Sequence, residues 1–164
     1  MNADELSALW APWRVEYFST KSEPDFLLAA AHATDDRAHL VLARKPHAFL
    51  MMNRYPYAVG HLMAVPCRKL ADLAELTETE QLELWSLAAL GQRLLRATVR
   101  AQGFNVGLNL GRCAGAGVVD HLHLHIVPRW DGDQNFMPVL AGTRVLPEAL
   151  DALYEKLRTA ADAA

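Results

Sequence analysis

The segment DHLHLHIVPRW, from Asp120 to Trp130, constrains the fold more than any other stretch, because its three histidines recur at every second position. Successive side chains of a β-strand point to opposite faces, whereas residues two apart on a helix diverge by about 200°. The alternation therefore predicts a strand with His121, His123 and His125 on one face, about 6.5–7 Å apart. The other face, which we expect to cover a core, carries Leu122, Leu124 and Ile126.

Three imidazoles on one strand face admit three interpretations. A single histidine is most often a hydrogen-bonded structural residue, but a row of three is unusual in that role. Two histidines at i and i+2 can bind zinc when a third ligand and supporting hydrogen bonds are present. Alternatively, one imidazole is a nucleophile, since neutral imidazole reacts near neutral pH, and its neighbours hold it and the substrate.

Length and composition limit the class of protein. A chain of 164 residues with 52% hydrophobic and 21% charged residues is typical of a single globular domain. The net charge of −3 does not supply the positive surface that nucleic acid requires, so we expect a small-molecule ligand and no nucleic-acid partner. No apolar run is long enough to span a membrane, so we expect no membrane association.

The start of the chain and the cysteines bear on the compartment. The segment MNADELSALW is acidic and lacks the pattern of a signal peptide. Cys67 and Cys113 lie far apart and form no C-x-x-C motif, which indicates reduced thiols without a chemical role. Both features favour a cytoplasmic location.

Four further segments have the apolar character of strands, and Lys45-Pro46 predicts a hairpin between the first two. They are His39–Arg44, His47–Asn53, Gly60–Pro66 and Phe104–Gly111. The last of them alternates apolar side chains with Asn105, Gly107 and Asn109. We expect it to pair antiparallel with the histidine strand, which places these asparagines on the side of the histidines.

Two helices are predicted. Thr77 and Glu80 form a capping box, so a long helix should begin there, continue to about Arg100 and stop at Gly103. A second helix should start at Pro147, a residue suited to the first helical turn. The apolar face of the long helix is expected to include Leu82, Trp85 and Ala89.

Two segments remain without regular structure. Within an N-terminal arm at residues 1–35, the stretch LWAPWRVEYF (Leu9 to Phe18) either lies over a groove or starts a helix packed on the core. The loop RCAGAGVVD precedes the histidines, and its Gly115 and Gly117 amides are candidates for an anion-binding nest.

These residues together resemble the histidine triad (HIT) superfamily. HLHLHIV matches the histidine motif, GHLMAVP matches a strand that carries a fourth histidine, and Asn53-Arg54 precedes that strand. The longer stretches LWAPWR, GFNVGLNLG, HLHLHIVPRW and GDQNF look like the branch of diadenosine tetraphosphate phosphorylases and related dinucleoside polyphosphate enzymes. The superfamily motifs cover residues 38–130. The stretches shared with the branch extend the similarity to most of the chain.

The resemblance implies an α+β fold, with a five-stranded antiparallel sheet, one long central helix and a C-terminal helix. It implies a single HIT domain over residues 1–164, in which an arm (1–35), a core (38–130) and a C-terminal segment with a helix (131–164) follow one another. It also implies a homodimer or higher homo-oligomer, no resident metal or other cofactor, and Mg²⁺ only on the polyphosphate of the substrate.

The activity implied is cleavage at the α-phosphate of a nucleotide, such as a dinucleoside polyphosphate, through a nucleotidyl-histidine intermediate. His123 would be the nucleophile, and His121 and His125 would orient it and stabilise charge on the phosphoryl oxygens. The remaining positions that match are His61 as the fourth histidine, Asn53 towards the ribose and Asn109 towards the phosphate. The base is expected in an apolar slot formed by the His39–Asn53 strands.

One departure from the family concerns the acceptor. Three and four residues before the first triad histidine, members often have a serine, threonine or glutamine, whereas this chain has Val118 and Gly117. Backbone amides would have to replace those side chains as hydrogen-bond donors to the phosphate or the leaving group. The acceptor therefore stays open between inorganic phosphate and water. The alternatives are a nucleoside phosphoramidate or ADP hydrolase of the same superfamily, a nucleotide sensor with little turnover, and a zinc-binding protein that uses the triad.

Overall fold

Three helices and five strands occupy the part of the chain that the computed structural model describes, residues 25–133 and 149–163. In chain order they are α1 (Phe26–His32), β1 (Val41–Arg44), β2 (Ala48–Met52), β3 (Leu62–Pro66), α2 (Glu78–Val99), β4 (Gly103–Gly107), β5 (Leu124–Arg129) and α3 (Leu150–Asp162). The predictions for Leu9–Phe18 and Pro147 lie outside the described residues.

The strands form one sheet in the order β1-β2-β3-β5-β4, and every neighbouring pair is antiparallel. The α+β fold, the first hairpin and the pairing of the histidine strand are thereby confirmed. The strands are shorter than predicted. Leu40 has a left-handed backbone (φ 57), so β1 begins only at Val41, and β5 begins at Leu124, after the first two triad histidines.

Each face of the sheet buries its own cluster. One face packs Leu50, Leu62 and Ile126 into the larger core with α2 and α3. On the opposite face, α1 covers a smaller cluster, which consists of Leu27, Ala30, Val41, Phe49, Met51, Met63 and Val65. Met63 stands opposite His125 in the register of β3 and β5, so the triad lies on the side of α1.

Both ends of α2 agree with prediction, but its orientation does not. Thr77 caps the helix, and the capping box with Glu80 is complete. The helix ends at Val99, where the left-handed backbone of its C-cap Arg100 (φ 55) breaks it. Gly103, expected to stop the helix, instead already belongs to β4. The predicted buried face is wrong, because Leu82 is 71% and Trp85 59% exposed. The residues that pack inward instead are Leu84, Leu87, Ala88, Gly91, Leu94 and Leu95.

Helix α1 was not predicted, although Asp25 carries its sequence signal. The carboxylate of Asp25 accepts hydrogen bonds from the backbone of Leu27 and Leu28, as an N-cap residue does. At the other end, Arg44 donates to the carbonyl of Ala30 at 2.8 Å. Part of the segment expected to be an arm is therefore fixed against the sheet.

Helix α3 closes the edge of the sheet at β1. The Tyr154 hydroxyl donates to the Val41 carbonyl at 3.0 Å, and Arg158 donates to the Leu42 carbonyl at 3.1 Å. None of the described helices combines the length and the apolar character that crossing a membrane requires.

Candidate active site

Three imidazoles meet on the α1 side of the sheet, at the paired strands β3 and β5. The ring centroids of His61 and His125 are 5.0 Å apart, and those of His123 and His125 are 4.7 Å apart at an edge-to-face angle of 77°. His61 immediately precedes β3, and β3 pairs with β5, so the sheet register brings these side chains together across 64 residues of sequence. The fourth histidine, His61, therefore lies beside the triad, as the sequence predicted.

The position of the proton on His123 follows from its hydrogen bond. Its Nδ1 lies 2.8 Å from the carbonyl oxygen of His121, and a carbonyl can only accept. The proton is therefore on Nδ1, and the lone pair is on Nε2. Within residues 25–133 and 149–163, Nε2 has no hydrogen-bond partner. Burial is the largest influence on this ring and holds the pKa of His123 below its ordinary value, so the ring is neutral near neutral pH.

A chain of hydrogen bonds fixes the tautomers of His61 and His125. The backbone N–H of Tyr57 donates to Nδ1 of His61 at 3.1 Å, and the Asn53 amide nitrogen lies 3.3 Å from the same atom. Nδ1 is therefore an acceptor, and the proton of neutral His61 is on Nε2, which lies 2.9 Å from Nδ1 of His125. His125 accepts there, so as a neutral ring it carries its own proton on Nε2.

The far side of His125 faces β4. The side-chain amide of Asn109 lies 3.5 Å from Nε2 of His125, which confirms the expected placement of this asparagine on the histidine side. Because Nε2 bears the proton of neutral His125, the amide oxygen is the atom that accepts from it. Gly107 stands opposite His125 in the register, and a Cβ built on it would have no neighbour within 4 Å among the described atoms. The sheet therefore leaves space directly beside the paired imidazoles.

Asn53, expected near a ribose, has protein partners here. Besides its contact with His61, its side-chain oxygen accepts from the backbone of Tyr55 at 2.9 Å. The Tyr57 ring stacks on His61 with centroids 4.6 Å apart. The turn after β2 thus supports the fourth histidine from two sides.

His121 differs from the other two triad histidines. Its ring is fully buried, its Nε2 lies 3.0 Å from the carbonyl oxygen of Pro66, and its Nδ1 lies 3.1 Å from a carboxylate oxygen of Asp25. Both ring nitrogens are thus occupied by protein groups, and His121 contacts His123 through its backbone carbonyl. Sequence reasoning missed Asp25, because 96 residues separate it from His121.

The loop before the triad offers fewer amides than predicted. The Gly115 N–H donates to the Arg112 carbonyl at 3.0 Å and closes a 3-10 turn, Arg112–Ala114, so this amide does not point to an anion. Gly117 is exposed, and its N–H has no acceptor within the described part of the chain. The predicted pair of donors is therefore reduced to Gly117.

The predicted apolar slot for a base is also not open. Val41 and Phe49 are fully buried, and Met51 is 3% exposed, since α1 packs on them through Leu27. The apolar wall that the sequence indicated is therefore used by the fold. Its packing partner could not be foreseen because α1 was not predicted.

The described residues contain no group of three or more histidine, cysteine, aspartate or glutamate side chains that could hold a metal ion. The histidines are instead engaged with one another and with backbone carbonyls. Cys113 is exposed. Cys67 is half-buried, and burial raises the pKa of its thiol.

Comparisons with known proteins agree with this geometry. Residues 35–132 match the family model of the HIT domain. An AP-4-A phosphorylase of Mycobacterium tuberculosis is 39% identical over 156 residues, which cover 90% of this chain and 80% of that protein. A bis(5'-adenosyl)-triphosphatase of Saccharomyces cerevisiae is 31% identical over 91 residues, which cover 55% of this chain and 44% of that one.

Among solved structures, a diadenosine triphosphate hydrolase of Plasmodium falciparum superposes with a TM-score of 0.61 at 17% identity, over 94% of this chain and 97% of that chain. At that identity the likeness concerns the fold alone. The matched family model, the relative that aligns along most of the chain, and the histidine geometry lead to one conclusion: the chain belongs to the HIT family.

Proposed function

We propose that this HIT-family enzyme cleaves a dinucleoside polyphosphate at an α-phosphate, and that His123 is the nucleophile. The observation that carries the proposal is the hydrogen bond from Nδ1 of His123 to the His121 carbonyl, which leaves the lone pair on Nε2. The relatives named as AP-4-A phosphorylase and bis(5'-adenosyl)-triphosphatase support the substrate class.

In the first step, Nε2 of His123 attacks the α-phosphorus. The phosphorus–nitrogen bond forms, and the bond from that phosphorus to the bridging oxygen breaks, so the remaining nucleoside polyphosphate leaves. The hydrogen bond from His61 to Nδ1 of His125 leaves the proton of neutral His125 on Nε2, on the side of the ring away from β3. That N–H is suited to donate to the oxygens of the reacting phosphate. Phosphoryl transfer depends mainly on positioning and charge stabilisation, which these rings supply.

In the second step, an acceptor attacks the same phosphorus and displaces His123. Inorganic phosphate would release a nucleoside diphosphate, whereas water would release a nucleoside monophosphate and one proton. We favour phosphate, because the relative that aligns over 90% of this chain is named a phosphorylase. The Gly117 N–H, which has no acceptor in the described part of the chain, is a candidate donor to the acceptor, and Mg²⁺ would accompany the substrate's polyphosphate.

The amide N–H groups of Asn109 are suited to a phosphate oxygen, since this side chain borders Nε2 of His125. Asn53 supports His61 and remains the candidate for a ribose contact. The open space beside Gly107 is where a phosphate could approach the paired imidazoles.

The nucleophile is tested with His123→Asn, which keeps a polar side chain but cannot form a nucleotidyl adduct. We expect kcat on diadenosine tetraphosphate to fall by more than about a hundredfold, roughly 2.7 kcal/mol in the activation barrier. Intact-protein mass spectrometry of quenched reactions should show a nucleotidyl adduct on the wild type and none on the variant. His32→Asn, a change at an exposed histidine in the last turn of α1, is the matched control. Retention of more than about a tenth of the wild-type rate contradicts the assignment.

The acceptor and the alternatives are tested with a substrate panel. Diadenosine tetraphosphate, diadenosine triphosphate, ADP and an adenosine phosphoramidate are each incubated with and without inorganic phosphate. Phosphorolysis predicts a nucleoside diphosphate only when phosphate is present. Binding without turnover of any of the four would favour the sensor, and stoichiometric zinc in the purified protein would favour the metal-binding alternative.

A further inference from the structure

The buried ring of His121 faces hydrogen-bond acceptors on both sides. The Pro66 carbonyl, 3.0 Å from Nε2, can only accept a hydrogen bond. An ionised carboxylate can likewise only accept, and Oδ2 of Asp25 lies 3.1 Å from Nδ1. A neutral imidazole has one N–H and cannot donate to both groups. Either the ring carries two protons or the carboxyl of Asp25 carries one.

The surroundings of Asp25 decide between these two states. Its Oδ1 accepts from the N–H groups of Leu27 and Leu28, at 3.2 and 3.1 Å. The ammonium group of Lys69 lies 3.3 Å from Oδ2. Burial opposes ionisation of Asp25, but the pKa of its carboxyl lies below the ordinary value. The Leu27 and Leu28 amides and the Lys69 ammonium group favour the ionised form whatever the state of His121. The carboxylate is therefore ionised near neutral pH.

The group as a whole is balanced in charge. Lys69 also binds Asp120 at 2.6 Å, so two carboxylates face one ammonium group and one imidazole. A protonated His121 brings this network to neutrality. The Asp25 side chain is only 12% exposed and the His121 side chain is fully buried, so solvent screens their interaction little, whereas Lys69 and Asp120 lie at the surface.

We propose that Asp25 holds His121 as a doubly protonated imidazolium, and is thereby a positioning residue for the triad. Asp25 precedes the family's matched region, residues 35–132, so a segment in front of the HIT core completes the site. Part of the inference rests on the proposed function, namely that the charge serves cleavage at a phosphate.

A fixed positive charge at His121 has two consequences for His123, whose ring binds the His121 carbonyl. It opposes protonation of His123, and it attracts the negative charge that develops on phosphoryl oxygens. Both effects require no contact between His121 and the substrate. They are lost together when the carboxylate of Asp25 is neutralised.

Asp25→Asn is the decisive variant, because asparagine is as good an N-cap as aspartate and so preserves α1 while it removes the charge. Asp72→Asn is the matched control, since Asp72 caps the Leu73–Glu75 turn at the surface without a histidine partner. Spectra of protein with 15N-labelled histidine rings distinguish a ring with two N–H groups from either neutral tautomer. The His121 signals are assigned by their loss in a His121→Asn variant.

At roughly one pH unit above the ordinary histidine pKa of about 6.5, wild type and Asp72→Asn should show His121 with two ring protons. Asp25→Asn should show one, on Nε2. A single ring proton in the wild type at that pH overturns the proposal, as does a His121 imidazolium that persists in Asp25→Asn. These readouts do not depend on turnover, so they remain valid if the proposed reaction fails.

The kinetic arm tests the positioning role. Asp25→Asn should lower kcat by about tenfold or more, with a smaller change in KM. Removal of a carboxylate that is hydrogen-bonded to a catalytic histidine has the same kind of effect. The acid limb of its pH–rate profile should move to higher pH, and Asp25→Glu should recover part of the rate. An unchanged kcat in Asp25→Asn, together with a neutral His121, overturns the positioning role.

Discussion

Nε2 of His61 donates to Nδ1 of His125 across the β3–β5 pair, at 2.9 Å. The two residues are 64 positions apart in sequence, and the strand register places Met63 opposite His125, so the sheet itself sets their separation. Because the Tyr57 N–H fixes the proton of His61 on Nε2, the backbone of a turn determines which nitrogen of His125 bears a proton. The tautomer of a triad histidine is therefore specified by the fold.

Replacement of His61 tests this relay. His61→Phe fills the space and keeps an aromatic ring for Tyr57 to stack on, but leaves Nδ1 of His125 without its donor. Loss of that donor to a buried nitrogen should cost about 1–3 kcal/mol in the free energy of unfolding. We expect kcat to fall by about tenfold or more, because His125 can then adopt the wrong tautomer.

Urea denaturation and steady-state kinetics measure the two effects of His61→Phe. The control is His47→Phe, the same change at an exposed histidine in the turn between β1 and β2, which should leave both quantities near their wild-type values. Wild-type kcat in a folded His61→Phe variant would show that the relay has no part in turnover.

The pH dependence of kcat/KM follows from the state of His123. Burial is the largest influence and lowers the pKa of His123 from its ordinary value of 6.5, and the nucleophile is the unprotonated form. The protonated fraction is therefore small above that value, and activity should be level from there towards mildly alkaline pH. Activity should decline only as the pH falls below 6.5. An acid limb with an apparent pKa above 6.5 in a pH–rate profile would contradict the protonation state assigned to His123.

Glu80 makes stability depend on acid. Arg68 has the largest influence, with a hydrogen bond of 2.6 Å, and together with the Thr77 groups it lowers the pKa of Glu80 from 4.5 to about 2. Since the folded pKa is depressed, the stabilisation is fully present above pH 4.5 and is lost as the pH falls from 4.5 towards 2. Because Arg68 is half-exposed, solvent screening reduces the contribution to about 1 kcal/mol.

The variant Glu80→Gln keeps the capping box but removes the charge, so it should lower the free energy of unfolding by about 1 kcal/mol at neutral pH and by much less near pH 3. Glu78→Gln, at the exposed first position of the same helix, is the control. Urea titrations at both pH values check the difference. An equal loss at both would exclude an electrostatic origin.

The exposed face of α2 bears on the oligomeric state. Leu82 is 71% and Trp85 59% exposed. Residues three apart are neighbours on a helix surface, so the two side chains form one apolar patch, and such patches mark contacts with other proteins. We expect this face to be covered by a second copy of the chain, which would form the homodimer or higher homo-oligomer that the resemblance implies. Trp85→Glu should therefore shift the protein to a monomer in light scattering coupled to size exclusion.

Ala152→Glu, a comparable change on the exposed side of α3, should leave the mass unchanged. A wild type that is monomeric over the accessible concentration range would make the homodimer prediction wrong. A dimer that Trp85→Glu does not weaken would place the interface elsewhere.

Much of the architecture followed from the sequence because the signals were local. The period of two in the histidine segment determined which side chains share a face, and the Thr77–Glu80 pair determined where α2 begins. The alternation around Asn109 determined that it lies beside the histidines. Each of these depends on the geometry of one or two elements, which short-range sequence patterns specify directly.

Only the tertiary structure decided features that depend on what packs against what. Helix α2 is apolar on more than one side, so composition could not tell whether Leu84 or Trp85 faces the sheet; the packing of the sheet against Leu84 decides it. The Gly115 amide closes its own turn, which a glycine pattern does not reveal. The contact of Asp25 with His121 joins residues 96 positions apart, and no local pattern encodes a contact between such distant residues. The sequence therefore determined which histidines face the site, and the fold determined which protons they carry.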